Sequence, residues 1–265
     1  MRLSRLPVAA FAATFLLAAC ASVPPALQFD RPLVLLGEVH DNAAQHKLRL
    51  QAFREWLATG ARPVLAMEQF DRQHQAAIDA ALRQQPAPSA DALIAAGQGG
   101  RGWHWPHYKP FIELALQHGL PIVAANVSRE DARAVMRDGL RAQGFDPGVP
   151  APVLSALTAT IEASHCGLLP AGLAAQMALA QVARDQFMAR VLSNNVERGV
   201  LLLAGNGHVR TDVGAPRWLD AATRQRSLAI GVLEAGATTS AFDRVVHTAP
   251  QPRPDPCLAM RAAPR

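Results

Sequence analysis

The chain has 265 residues, half of them apolar, and a formal charge of +5 at neutral pH, enough apolar content to bury a sizeable core. The positive charge is spread without a run or stripe of Lys and Arg, which excludes a nucleic-acid-binding surface of the usual electrostatic kind and leaves an anionic lipid surface or an acidic small ligand as compatible partners. The three cysteines include no Cys-x-x-Cys pair, which excludes a zinc ribbon or a thioredoxin-type redox motif.

The first residues read as an export signal. Arg2 and Arg5 precede an apolar run, Leu6 to Ala19, that is too short to span a bilayer, and Leu17-Ala18-Ala19-Cys20 closes it with small residues. This resembles a bacterial lipoprotein signal, residues 1–19, with cleavage before Cys20 and acyl chains on its thiol. Ala21 in place of an aspartate implies an outer membrane lipoprotein facing the periplasm. Residues 20–265 remain as one expected α/β domain.

The first strong element is a strand over Leu33 to Gly37. Val34, Leu35 and Leu36 follow one another without a polar residue, as in strands buried on both faces of a parallel sheet. Gly37 permits a sharp turn, and Glu38 and His40 fall at the C-terminal edge, where open α/β sheets hold ligands. A helix from about Asn42 to Ala58 carries His46 in its first turns and stops at Gly60. The second strand, Pro63 to Met67, again ends in a glutamate, Glu68. Helices are predicted over Gln73 to Leu82 and, capped by Ser89, over Ala90 to Ala96.

A glycine-rich stretch, 97–102, reads as a flexible linker to Trp103-His104-Trp105-Pro106-His107-Tyr108, which holds two of the four tryptophans and the single tyrosine. Taken alone, these tryptophans read better as packing onto the core than as walling a flat ligand, because tryptophans bury area wherever they lie. Strand three, Pro121 to Ala125, ends at Asn126. Ser128 caps a helix to about Arg141, with Asp131 three residues on as in a capping box. A helix over Val153 to Ser164 is followed by a long one from Ala171 to about Asn194. On that helix Met177, Gln181, Arg184, Met188 and Val191 share a face, so the Arg184 guanidinium is expected to meet a carboxylate or a polar pocket. Strand four, Val200 to Ala204, leads into Gly205-Asn206-Gly207-His208, read as a tight strand-end loop. A short helix from Pro216, a strand over Leu228 to Leu233, an edge strand over Arg244 to His247 and an irregular tail from Pro250 complete the chain. Cys166 and Cys257, left over once Cys20 is lipidated, are expected to pair in an exported protein.

This alternation predicts an α/β fold, a largely parallel sheet flanked by helices with a helical subdomain. Such a sheet would bring Glu38, His40, Glu68 and His208 into one crevice with His46 close by. Carboxylates and imidazoles so gathered suit a divalent metal such as Mn, Co or Zn, or a buried hydrogen-bonded cluster.

The strand ends Gly37-Glu38-Val39-His40 and Gly205-Asn206-Gly207-His208, with Glu68, Asn126, the run from Gln181 to Ala189, the tryptophan-rich segment and His165 to Pro170, resemble the ChaN family of haem-binding uptake lipoproteins in the Tiki/TraB/EreA superfamily. The resemblance covers nearly the whole mature chain. It implies haem as cofactor and a part in iron acquisition, with a membrane anchor, a haem-uptake machinery and a homodimer as the expected associations. It further implies a tyrosine on the haem iron, here Tyr108, with Trp103 and Trp105 walling the porphyrin and His107 and Arg184 beside it. Hydrolases of the same superfamily imply an alternative, a metal-dependent peptidase or esterase with Glu38 as general base or ligand and His40, His46 and His208 holding a metal or moving protons. A carrier without turnover is the favoured expectation, since the hydrolytic reading rests on analogy.

Overall fold

The computed structural model describes residues 24, 27–99, 102–237 and 241–262; the signal segment and Cys20 lie outside the described residues. The apolar runs form β1 (Leu33–Leu36), β2 (Val64–Asp71), β3 (Ile122–Asn126), β4 (Val200–Leu203), β5 (Ser227–Glu234) and β6 (Arg244–Thr248). They make a sheet of order β3-β2-β4-β1-β5-β6 in which every pairing is parallel. Period-two alternation then sends successive side chains to opposite faces. Val34, Leu36, Leu65, Met67, Leu201 and Leu203 enter one apolar cluster. Their neighbours Leu33, Leu35, Val64, Ala66, Val200 and Leu202 enter another. All four residues of β1 and of β4 are buried, which is why neither shows a polar position.

Helices cover both faces. The first cluster is closed by α1 (Ala43–Ala58), α2 (Gln75–Leu82), α3 (Ala90–Ala96) and α4 (Lys109–Gln117). The second lies under α7 (Leu173–Asn194), which also joins α5 (Arg129–Asp138) and α6 (Ala151–Ser164) around Val135, Leu157, Ile161, Ala178 and Val182. That third cluster is the core of the expected helical subdomain. The caps follow the sequence: Asn42 accepts from the amides of Ala44 and Gln45, and Ser89 from that of Ala92. Ser128 accepts from the Asp131 amide at 2.9 Å, but the Asp131 carboxylate turns to Arg72 at 3.0 Å, so only half of the capping box forms. No helix among the described residues is long and apolar enough to cross a membrane.

Three expectations are corrected. Residues after β4 form a one-turn helix, α8 (Asn206–Val209), instead of an open loop. The short helix expected from Pro216 forms as a 3-10 turn, Ala215–Trp218, but an unexpected α9 (Ala221–Gln225) follows it before β5, and α10 (Pro256–Ala262) occupies the stretch read as irregular. The tail is held there by Arg253, which bonds Asp41 and Glu234, and by a disulfide from Cys257 to Cys166.

The disulfide spans 91 residues, and closing a loop of that length stabilises a fold by about 4 kcal/mol on the chain-entropy model. The Cys166→Ser/Cys257→Ser double variant should lose about 2–4 kcal/mol of unfolding free energy in a non-reducing urea titration. An unchanged midpoint would mean that the bond contributes nothing to the folded state.

Candidate functional site

β1 and β4 end side by side and carry Glu38 with His40 and Gly205 to His208; β2, expected to end at Met67, runs on to Asp71, so Glu68 lies within it, just past its last pairing with β4. The Glu38 side chain is fully buried. Its charge is compensated by Arg49, also fully buried, which reaches it from α1 as an ion pair and donates to the Leu36 carbonyl at 3.0 Å. Glu38 Oε1 also accepts from the Tyr108 hydroxyl at 2.5 Å and lies 2.7 Å from His40 Nδ1. Burial lowers the Arg49 guanidinium to about 10, still charged at neutral pH. Burial raises the Tyr108 phenol above its ordinary range, so the hydroxyl keeps its proton and donates it to Glu38.

The two glycine motifs interlock. A Cβ at Gly37 would overlap the Asn206 side chain, and one at Gly205 would stand 2.9 Å from the His40 ring. Gly37 is therefore required by close approach, not by the sharp turn expected of it. Asn206 uses the room to bond across to β5, giving its amide to the Val232 carbonyl at 2.7 Å and accepting from the Val232 N–H at 3.1 Å. Each motif thus supplies the glycine that admits a side chain of the other.

His208 sits opposite, with Nδ1 2.6 Å from Asp185 of α7 and Nε2 3.5 Å from Glu68. Burial alone would depress this imidazole, but Asp185 and Glu68 outweigh it and raise its pKa to about 9, so it is a cation at neutral pH. Glu68 also accepts from the Gly205 N–H at 2.7 Å, and its backbone carbonyl accepts from the Asn126 side chain at 3.0 Å.

Between these groups lies a cavity of about 670 Å³ whose lining includes His40, Glu68, Gln69, Trp103, Arg184 and His208. Asn126, Gln181 and Arg129 complete its polar wall. Gln69 is buried, with both ends of its side-chain amide unsatisfied among the described residues. Arg184 meets the expected polar pocket. Trp103 stands edge-on to His40 with ring centres 4.9 Å apart.

Other expected site residues are elsewhere. Tyr108 is fully buried beneath the cavity, so this arrangement does not offer its oxygen to an iron. Trp105 packs on Phe70 at 5.3 Å and belongs to the core. His107 stacks on His46 at 4.3 Å, and His46 bonds the His40 carbonyl at 2.9 Å. The proposed metal set of Glu38, His40, His46, Glu68 and His208 does not assemble: among the described residues no group of three or more His, Cys, Asp or Glu could hold an ion. Glu38 is committed to Arg49 and Tyr108, Glu68 to the Gly205 amide, His208 to Asp185 and His46 to the His40 carbonyl. Sequence reasoning missed Arg49, Gln69, Asp185 and Arg129. Spacing held a signal for two of them, since Asn42, His46, Arg49 and Phe53 share one helical stripe, as do Gln181, Asp185, Met188 and Leu192.

Residues 29–219 match the family model described as haem-binding uptake, Tiki superfamily, ChaN. Among solved structures the chain is similar to ChaN of Campylobacter jejuni, which binds haem cofacially: 23% identity over 81% of this chain and 86% of that one, with a TM-score of 0.68. At that identity the likeness shows the fold alone. The type III effector HopBA1 (16% identity over 83% of this chain and 88% of that one, TM-score 0.46) and an erythromycin esterase, EreC, in its open conformation (12%, 78% and 71%, TM-score 0.44) are too distant to carry a functional argument. No curated protein matches the chain.

Removing one partner of a buried ion pair leaves an uncompensated charge, so Arg49→Met should cost about 3–5 kcal/mol in a urea titration; a loss under about 1 kcal/mol would show that Glu38 does not depend on Arg49. Stability should also depend on pH through buried groups of opposing sense: burial raises Asp185 to about 6, so its contribution is lost as pH rises from 3.8 through 6. His46, lowered from 6.5 to about 4 chiefly by burial, refuses a proton that the unfolded chain accepts, so up to roughly 3 kcal/mol is lost as pH falls through that window. His208 acts in the opposite sense. Its raised pKa contributes stability that is complete below 6.5 and is lost as pH rises through about 9. A His46→Asn variant should flatten the acid limb only.

Proposed function

Since the chain belongs to the haem-binding uptake family ChaN of the Tiki superfamily, we propose that it binds haem in the cavity over β2, β4 and β1, with His40 offering the nitrogen that takes the iron. One observation carries this choice of residue. The His40 side chain is 47% exposed, its Nδ1 is held by Glu38, and its Nε2 has no hydrogen-bond partner among the described residues. A carboxylate on one ring nitrogen fixes the tautomer and raises the basicity of the other, as in metal-ligating histidines generally. His208, a cation at neutral pH, has no lone pair to give. Tyr108 is buried and protonated.

The remaining donors fit the group. Haem, when bound, would supply an iron able to take a protein nitrogen, on a flat macrocycle with two carboxylates. Trp103 offers an aromatic wall beside His40, while Arg184, Arg129 and His208 supply cations for carboxylates. The unsatisfied Gln69 amide gives a further polar contact. The hydrolytic alternative is not favoured, because both Glu38 oxygens are engaged by Arg49, Tyr108 and His40 and neither is left to serve as a base.

The reading extends to location. A signal over residues 1–19 and lipidation of Cys20 would hold the protein on the periplasmic side of the outer membrane, as a carrier that passes haem to an uptake machinery.

Titration of residues 20–265, carrying Cys20→Ser, with haemin should give a histidine-type visible spectrum. His40→Ala should abolish that spectrum and weaken binding by at least about tenfold, whereas Tyr108→Phe should leave it in place. A phenolate-type spectrum that disappears in Tyr108→Phe and survives in His40→Ala would assign the iron to Tyr108 and overturn this choice of ligand.

A further inference from the structure

The ends of β2, β4 and β1 opposite the cavity carry a second constellation. Arg62 precedes β2, Arg198 precedes β4 and Arg31 precedes β1, and the order of these strands makes the three arginines neighbours along one edge. They line a groove of about 340 Å³ together with Phe29 and Trp56, whose rings meet edge to face at 5.3 Å.

The arginines further along this edge are neutralised. Arg224 is bonded to Asp243 and Arg226 to Glu197, each at 2.7 Å, and Arg244 is paired with Asp30. The three groove arginines are not. Arg31 donates to the Ser227 carbonyl at 2.6 Å, and Arg62 to the Ala61 and Leu57 carbonyls at 2.8 and 3.2 Å, contacts that orient a guanidinium without cancelling its charge. Arg198 has no side-chain partner among the described residues. The groove's own carboxylate, Asp30, is taken by Arg244.

The path of the chain says what this edge faces. Leu27 is buried in the core cluster against which Phe29 and Trp56 pack, and Cys20 precedes it by seven residues. Even fully extended, that segment reaches only about 25 Å. Acyl chains on Cys20 therefore keep the groove close to the bilayer surface, where aromatic side chains such as Trp56 are favoured and each Lys or Arg gains about 1 kcal/mol from anionic lipid.

We propose that the Arg31, Arg62 and Arg198 groove docks on the phosphate headgroups of an anionic phospholipid bilayer, turning the haem cavity at the other ends of the same strands away from the membrane. The orientation rests on the reading that Cys20 is lipidated; the headgroup contact itself does not.

The test uses residues 20–265, which contain every described strand and helix, with Cys20→Ser to remove the anchor. Flotation with vesicles of phosphatidylglycerol and phosphatidylethanolamine should capture this protein, and pure phosphatidylcholine should not. Arg31→Glu/Arg62→Glu/Arg198→Glu should lower the partition coefficient on the order of a hundredfold, about fivefold or more for each charge. Arg198→Glu alone, which breaks no side-chain contact, should show its single share and serves if the triple variant fails to fold. An equal loss in the charge-matched variant Arg133→Glu/Arg137→Glu/Arg141→Glu would reduce the effect to net charge and overturn the site. So would absence of vesicle capture, including the case in which calorimetry with inorganic phosphate shows binding that the triple variant loses. Incorporation of labelled palmitate in cells, lost in Cys20→Ser, reports the anchor separately, so failure of the anchor and failure of the groove are distinguishable.

Discussion

A carboxylate buried at the end of a parallel strand must be compensated or neutralised, and the way Glu38 meets that requirement arranges much of the molecule. Its partner Arg49 comes from α1, so the ion pair ties that helix to β1 beyond the apolar contacts of Leu50 and Phe53. Its hydrogen bond from Tyr108 fixes the segment leading into α4. Its contact with His40 Nδ1 orients the one half-exposed imidazole of the cavity. Buried pairs of this kind add little net stability against an apolar substitute. What this one provides is a fixed geometry, in which the His40 ring is oriented and the Tyr108 hydroxyl is bonded to Glu38.

The chain's strands were legible because burial on both sheet faces leaves no polar residue in β1 or β4, and a parallel sheet follows from strands alternating with helices. The strand-end placement of Glu38, His40 and His208 was legible for the same reason, whereas Glu68 lies inside a β2 that is longer than its apolar run. Strand order was not, since nothing in β4 announces that it lies between β1 and β2. The roles of Gly37 and Gly205 were hidden as well, because each is required by a side chain about 170 residues away. The burial of Tyr108, which the family resemblance had singled out, was hidden too. It follows from hydrogen bonding to Glu38, and one segment read alone gives no sign of that. Asp185 went unnoticed because an acidic residue beside Arg184 reads as a solvated helix face, while its place in the stripe with Met188 and Leu192 turns it inward against His208.

The same three strands organise both ends of the sheet. At one end they gather a polar cavity whose carboxylates are held by Arg49, by backbone amides and by His208. At the other they gather arginines beside the point where the chain enters the fold. Buried strands connect the two ends.

The account stands or falls on where the iron sits. Crystals of the protein grown with haemin, measured at the iron absorption edge, should give an anomalous peak within ligating distance of His40 Nε2 in the cavity bounded by Trp103 and Arg184, with the Tyr108 hydroxyl still bonded to Glu38. A peak on the Tyr108 oxygen, with its bond to Glu38 broken, or a peak outside this cavity, would contradict it.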